Sequence, residues 1–252
     1  MKMTSIFMAL LLMLPTSISD SEKSEWVFTS TEAGDTVLLQ TDETMALINT
    51  GNPQEFEELN KSIELTNHDT IKSVVMTSAE ANSCDNLTQL IDKYEVQYVY
   101  MVPTFDDKCL DEIENVNDIT LQQESTFTLS RRLYIQYRTL DHNQGNVYIS
   151  NGAISMYWYE SADDYDITHA DISYFPSYLE KEDIDLKTLY KIEPEVAIIN
   201  ENNDIQPNSS IYQHLQELWV DTYFLSDDIA IHVLDDNQDF SVKLEKLKQN
   251  DS

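Results

Sequence analysis

Short β-rich apolar runs alternate with segments of helical periodicity along most of this 252-residue chain, and this alternation restricts the fold more than any other feature. Residues 37–41 and 45–49 read as strands flanking a turn at Asp42-Glu43-Thr44. An acidic helix is expected over 53–65, with Phe56, Leu59 and Ile63 on one face. A strand at 71–76, a helix at 86–94, a strand at 96–102 and a helix at 106–115 follow. The centre changes character. Residues 126–129, 133–137, 147–150 and 153–159 are strands with little helix between them, and Asn151-Gly152 marks a hairpin. Alternation then returns, with strands at 172–175, 196–200, 220–225, 229–233 and near 240–244, and helices at 182–191 and 209–218. Strand-helix alternation demands a sheet with helices packed on it. Two such halves around a β-rich centre, with no linker composition between them, predict one α/β (α+β) domain over 20–252. Its expected architecture is a four-layer αββα sandwich of two mixed β-sheets with outer helices.

The first nineteen residues fall outside that pattern. Lys2 supplies a basic end, residues 6–14 are uniformly apolar, Pro15 interrupts them, and Ser17 and Ser19 offer small residues before Asp20. This is the layout of a secretory signal peptide over 1–19, and the apolar run is shorter than the roughly 20 residues a bilayer span needs. A secreted, extracellular location is therefore expected, with no later segment suited to cross a membrane. In an oxidising compartment Cys84 and Cys109 would form one disulfide or stay as two separate buried thiols.

The formal net charge is −31, and loss of the leader, which holds one Lys and no acid, makes it more negative by one unit. Such a surface repels nucleic acid and favours cations or basic proteins, and it also keeps a protein dispersed. Arg131, Arg132 and Arg138 are read as side chains snorkelling from a hairpin. The five histidines are His68, His142, His169, His214 and His232, and no two lie within five residues of each other. The Asp163-Asp164-Tyr165-Asp166 loop offers oxygens to calcium without the spacing or central Gly of an EF-hand. Asp227-Asp228 and Asp235-Asp236 read as turns. No glycine-rich phosphate loop and no G-x-S-x-G elbow is present, and the chain has only four glycines. Aromatics are dense from Tyr157-Trp158-Tyr159 through Tyr165, Tyr174, Phe175 and Tyr178. Strand alternation predicts that Trp158 or its neighbours are buried, but not both.

Residues 36–51, 71–85, 154–161 and 171–233, taken in that order, together resemble metallo-β-lactamase-fold hydrolases. Residues 36–51 look like the opening hairpin that commonly ends in Leu-Ile-Asp-Thr-Gly, with Asn49 in place of the Asp. Residues 71–85 look like the strand and metal loop Thr-His-x-His-x-Asp-His. Residues 154–161 resemble the strand ending in Thr-Gly-Asp, and 171–233 resemble the C-terminal part of the extracellular domain of the DNA-uptake channel ComEC. The resemblance implies a zinc cofactor, yet the family's ligand positions carry Ser78, Glu80, Asn82, Ser83, Ser161 and Ser177. Of these only Glu80 could still bind a metal; hydroxyls and an amide do not replace imidazoles as zinc ligands, so no metal site and no catalytic residue is expected. The implied function is a non-catalytic pseudo-hydrolase that binds an unknown protein or small-molecule ligand. The alternative is a metal-dependent hydrolase or phosphodiesterase remodelled around Glu80, Glu160, His169 or an acidic loop, with His169 placed near the edge that holds the family's site.

Overall fold

The computed structural model describes residues 23–31, 34–51, 56–64, 66, 68–78, 84–102, 113, 116–121, 124–139, 145–159, 169–177, 179, 184, 186–201, 209–226, 228–236 and 239–247. They form two mixed sheets and four helices. The first sheet contains β1 (Ser24–Thr31), β2 (Gly34–Thr41), β3 (Met45–Ile48), β4 (Thr70–Met76), β5 (Glu95–Met101), β6 (Asn117–Thr120), β14 (Ile229–Asp235) and β15 (Phe240–Lys246). Its order is β15-β14-β1-β2-β3-β4-β5-β6. The second sheet contains β7 (Glu124–Thr128), β8 (Tyr134–Thr139), β9 (Gly145–Ser150), β10 (Ser155–Trp158), β11 (Ile172–Phe175), β12 (Val196–Asn200) and β13 (Asp221–Leu225), in the order β13-β12-β11-β10-β9-β8-β7. Strands β3 to β6 run parallel, as do β10 to β13, and the remaining pairs are antiparallel.

Helices α1 (Phe56–Glu64) and α2 (Cys84–Lys93) pack on the first sheet's core through Leu59, Ile63, Leu87 and Leu90. Helices α3 (Leu186–Ile192) and α4 (Ser210–Glu217) pack on the second through Leu189, Ile192, Ile211 and Leu215. This is the expected sandwich. Parallel strands covered on both faces read as continuous apolar runs, and β3, β10, β11 and β12 are buried at every residue. That corrects the reading of the aromatic run. Trp158 faces the inter-sheet core, whereas Tyr157 and Tyr159 lie in the helix-side cluster, and all three are buried.

The Asn-Gly hairpin forms as expected, with Ser150 opposite Ser155 and Gly152 at φ 85°. Asn151 Oδ1 accepts bonds from the Ala153 and Ile154 amides at 2.9 and 2.8 Å, which closes the turn. Strands β1 and β6 were not expected from the sequence. Strand β6 is exposed throughout and carries Asn117, Asp118 and Thr120, so it lacks the apolar run that marks a strand. The helix expected at 106–115 lies outside the described residues, apart from Ile113. Among the described residues no helix is long and apolar enough to cross a membrane.

Candidate functional site

Both sheets present the C-terminal ends of their parallel strands at one edge of the sandwich. In open α/β sheets this is where ligand sites collect. Strand β3 leaves the first sheet through Asn49-Thr50-Gly51, with Asn49 at φ 60° and Gly51 at φ 66°. Asn and Gly are the residues that enter this left-handed region most readily. A Cβ on Gly51 would approach Thr36 Oγ1 to 3.2 Å, so β2 and the turn fit closely here.

Asn49 is fully buried, and its side chain clasps the end of β4. The Thr77 amide donates to Asn49 Oδ1 at 2.9 Å, the Thr77 hydroxyl donates to the same atom at 3.1 Å, and Asn49 Nδ2 donates to Thr77 Oγ1 at 3.0 Å. Asn86 of α2 donates to the Thr50 carbonyl at 2.8 Å. Helix, turn and strand end are thus tied together where the resemblance expects a metal loop to begin. Ser78 follows Thr77 and is buried.

On the neighbouring strand of the same sheet lies Asp35, near the start of β2, fully buried and facing the second sheet. Its Oδ1 accepts from the Tyr174 hydroxyl at 2.5 Å and from Asn200 Nδ2 at 2.6 Å. Its Oδ2 accepts from the Ser177 amide at 2.8 Å and the Ser177 hydroxyl at 2.7 Å. Tyr174 lies on β11, Ser177 two residues beyond it, and Asn200 ends β12. A carboxylate of the first sheet is therefore held by four donors of the second. An ionised carboxylate offers about four lone-pair sites, so these bonds take up its acceptor capacity. Burial pushes the Asp35 carboxyl above its usual range, while the bonds from Tyr174, Ser177 and Asn200 pull the other way without cancelling it. Beside it, Tyr174 packs against Phe28 and Trp158, with ring centroids 5.4 and 4.5 Å apart.

Of the six positions carried over from the resemblance, Ser78 and Ser177 are described, and they sit on the two facing sheets at this edge. Glu80, Asn82, Ser83 and Ser161 lie outside the described residues, as do Glu160, Tyr165, Tyr178, His142, Cys109, the side chain of Cys84 and the Asp163–Asp166 loop. His169 is not at this edge. It precedes β11, whereas Ser177 follows that strand, so the direction of β11 places the two at opposite ends of it. His169 Nδ1 lies 4.0 Å from Asp171 Oδ1. The other described histidines are dispersed. His68 Nε2 lies 3.2 Å from the Thr41 carbonyl oxygen, His214 Nδ1 3.1 Å from Glu217 Oε2, and His232 Nδ1 2.7 Å from Glu25 Oε1. Among the described residues no three His, Cys, Asp or Glu side chains are grouped to hold a metal ion. The donors at the described edge are amides and hydroxyls around one saturated carboxylate, a set that does not fit zinc.

Asp35 and Asn200 are the site residues that the sequence reading missed. An acid just ahead of an apolar strand reads as a turn residue, and its partners lie 139 to 165 positions away. Asp235 is likewise not a turn residue. It ends β14, is buried, and accepts from Asn151 Nδ2 at 2.6 Å, because the β9–β10 turn packs onto it. Arg138 behaves as expected and pairs with Glu124 across the β7–β8 hairpin at 3.2 Å. A cavity of about 740 Å³ lies at the other end of the first sheet, lined by Glu25, His68, Asp235 and Phe240 among others, and Asp35 takes no part in it.

No family model matches the sequence, and no curated protein matches it. Solved structures do. The metallo-beta-lactamase fold protein YhfI from Bacillus subtilis aligns at TM-score 0.62 and 9% identity over 84% of this chain and 99% of its own. A diphosphatase from the PhnP family aligns at TM-score 0.57 and 12% identity over 84% of this chain and 98% of its own. Zn(2+)-bound PqqB from Methylobacterium extorquens aligns at TM-score 0.53 and 14% identity over 77% of this chain and 85% of its own. With two mixed sheets, outer helices and these neighbours, the chain has the metallo-β-lactamase fold.

Proposed function

We propose that this chain is an exported, non-catalytic protein on the metallo-β-lactamase scaffold, whose cleft has become a hydrogen-bonded clasp between the sheets and whose role is interaction. The observation that carries the reading is Asp35. A carboxylate whose acceptor sites are filled by Tyr174, Ser177 and Asn200 is not free to bind a metal. The sequence adds Ser78, Asn82, Ser83, Ser161 and Ser177 where the family resemblance expects imidazoles and carboxylates, leaving Glu80 as the one carryover position with a carboxylate. In a working dinuclear site the metals generate the hydroxide nucleophile near neutral pH, and these side chains do not supply that donor set. The resemblance of residues 171–233 to the extracellular domain of ComEC and the leader-like layout of residues 1–19 both support a place outside the cytoplasm.

Metal analysis of the purified protein, with a phosphodiesterase assay in added zinc and manganese, tests the reading. We expect substoichiometric metal and no turnover. Stoichiometric zinc or manganese, or turnover abolished by Glu80→Ala, would overturn it in favour of a remodelled hydrolase.

A further inference from the structure

The end of the second sheet opposite the clasp carries a side chain that the fold does not need. Helix α4 closes with Leu218 as C-cap, and Trp219 follows at φ 61°. The Trp219 amide donates to the Gln216 carbonyl at 3.1 Å and the Val220 amide to the Leu215 carbonyl at 3.0 Å. This is a complete Schellman motif, in which the left-handed position is usually glycine. Its accompanying apolar contact is also present, since Val220 and Leu215 are buried in one cluster. The backbone and those two residues complete the cap without the indole, which leaves Trp219 91% exposed. A non-glycine residue is disfavoured in this conformation. The cost therefore falls on a large aromatic side chain that buries almost nothing.

The surroundings indicate what would cover it. Asp221 opens β13 opposite Val196, and its amide bonds to the Glu195 carbonyl at 2.9 Å, so the starts of β12 and β13 are adjacent. Glu217, Asp221, Glu195 and Glu193 are exposed around this end, and Tyr190, on the last turn of α3, is 49% exposed. Lys187 and Lys191 of α3 are the cations in that stretch, and His214 pairs with Glu217. An exposed indole at an end where the four exposed carboxylates outnumber the lysines suits a guanidinium or ammonium, which stacks on an aromatic face while acids hold its charge.

We propose that Trp219, with Tyr190, Glu217, Glu195 and Asp221, forms a docking surface for an arginine- or lysine-rich polypeptide segment. The proposal rests on the interaction role above for its biological sense, and it is tested apart from the cleft. Trp26 and Trp158, the other two tryptophans, are fully buried, so long-wavelength indole emission reports Trp219. The full chain is titrated with a peptide of alternating arginine and serine about a dozen residues long, at about 150 mM salt, where long-range attraction is largely screened. The expected result is a saturable shift of Trp219 emission to shorter wavelength. Affinity, read independently by calorimetry, should fall at least about tenfold in Trp219→Gly and in Glu217→Gln/Asp221→Asn, the scale of a desolvated cation–π contact. Trp219→Gly places glycine at the cap position that prefers it, so its thermal midpoint should equal or exceed that of the parent chain. Peptide binding unchanged in Trp219→Gly would overturn the proposal by showing only diffuse charge attraction. An equal emission shift with an aspartate–serine peptide or with phosphatidylcholine vesicles would overturn it in favour of a merely apolar patch. Metal content is read separately, so failure here leaves the clasp untouched, and the reverse also holds.

Discussion

At the residue scale, Asp35 makes the sharpest demand. Removing its carboxylate takes away the acceptor of four hydrogen bonds, from a tyrosine hydroxyl, a serine hydroxyl and amide, and an asparagine amide. An unmet buried donor costs about 1–3 kcal/mol. Asp35→Ala is therefore expected to lower unfolding free energy by about 3 kcal/mol or more, measured by urea denaturation. The pH dependence follows from the raised carboxyl. The native state keeps its proton to a higher pH than the unfolded chain does. Between the ordinary aspartate value, about 3.9, and the raised one, the native state binds more protons. Stability from this group is thus lost as pH rises through that window. Relative to Asp35→Asn, which does not titrate, the parent chain should lose ground as pH rises. A constant difference across that range would contradict the assignment.

At the element scale, the outer strands of the first sheet are joined by a second polar row. Glu25 of β1 accepts from Gln40 of β2 at 2.5 Å and faces His232 of β14 at 2.7 Å, while His232 Nε2 lies 3.3 Å from Glu245 of β15. The bond to His232 holds the Glu25 carboxyl below its usual range, against a smaller opposing effect of burial. Here the sign is the reverse of Asp35. The contribution is present above the ordinary glutamate value and is lost as pH falls through the lowered one. His232→Gln should cost about 1 kcal/mol near neutral pH. That deficit should vanish in acid, read as converging thermal midpoints. The β9–β10 turn offers a cleaner backbone test. Gly152 sits at φ 85°, with open space where a Cβ would stand. Gly152→Ala should therefore destabilise by about 1 kcal/mol through conformation alone, read by urea denaturation.

At the scale of the whole molecule, a formal charge of −31 on 252 residues opposes compaction. Ion pairs such as Lys93–Glu64 at 2.8 Å are exposed and offset little of it. Raising salt from about 10 to about 150 mM shortens the Debye length from about 30 Å to about 8 Å. The thermal midpoint should therefore rise with salt, and a flat or falling midpoint would show that self-repulsion does not limit stability. The same field disfavours nucleic acid as a partner and favours basic segments.

Period and composition alone determined the sandwich, most of its strands, the 151–154 turn and the acidic character, because burial on two faces writes a continuous apolar run and a tight turn writes Asn-Gly. Local signals misread the Tyr157–Tyr159 run and Asp235, and the family resemblance misplaced His169, because burial by a neighbouring layer and the direction of a strand are not encoded in the residues beside them. The ligand positions could be read as serines, an asparagine and one glutamate, but not what replaced the metal site. Asp35, Tyr174, Ser177 and Asn200 meet only when two sheets close on each other. A contact between residues more than a hundred positions apart leaves no periodicity in the chain, so only the tertiary structure decides it.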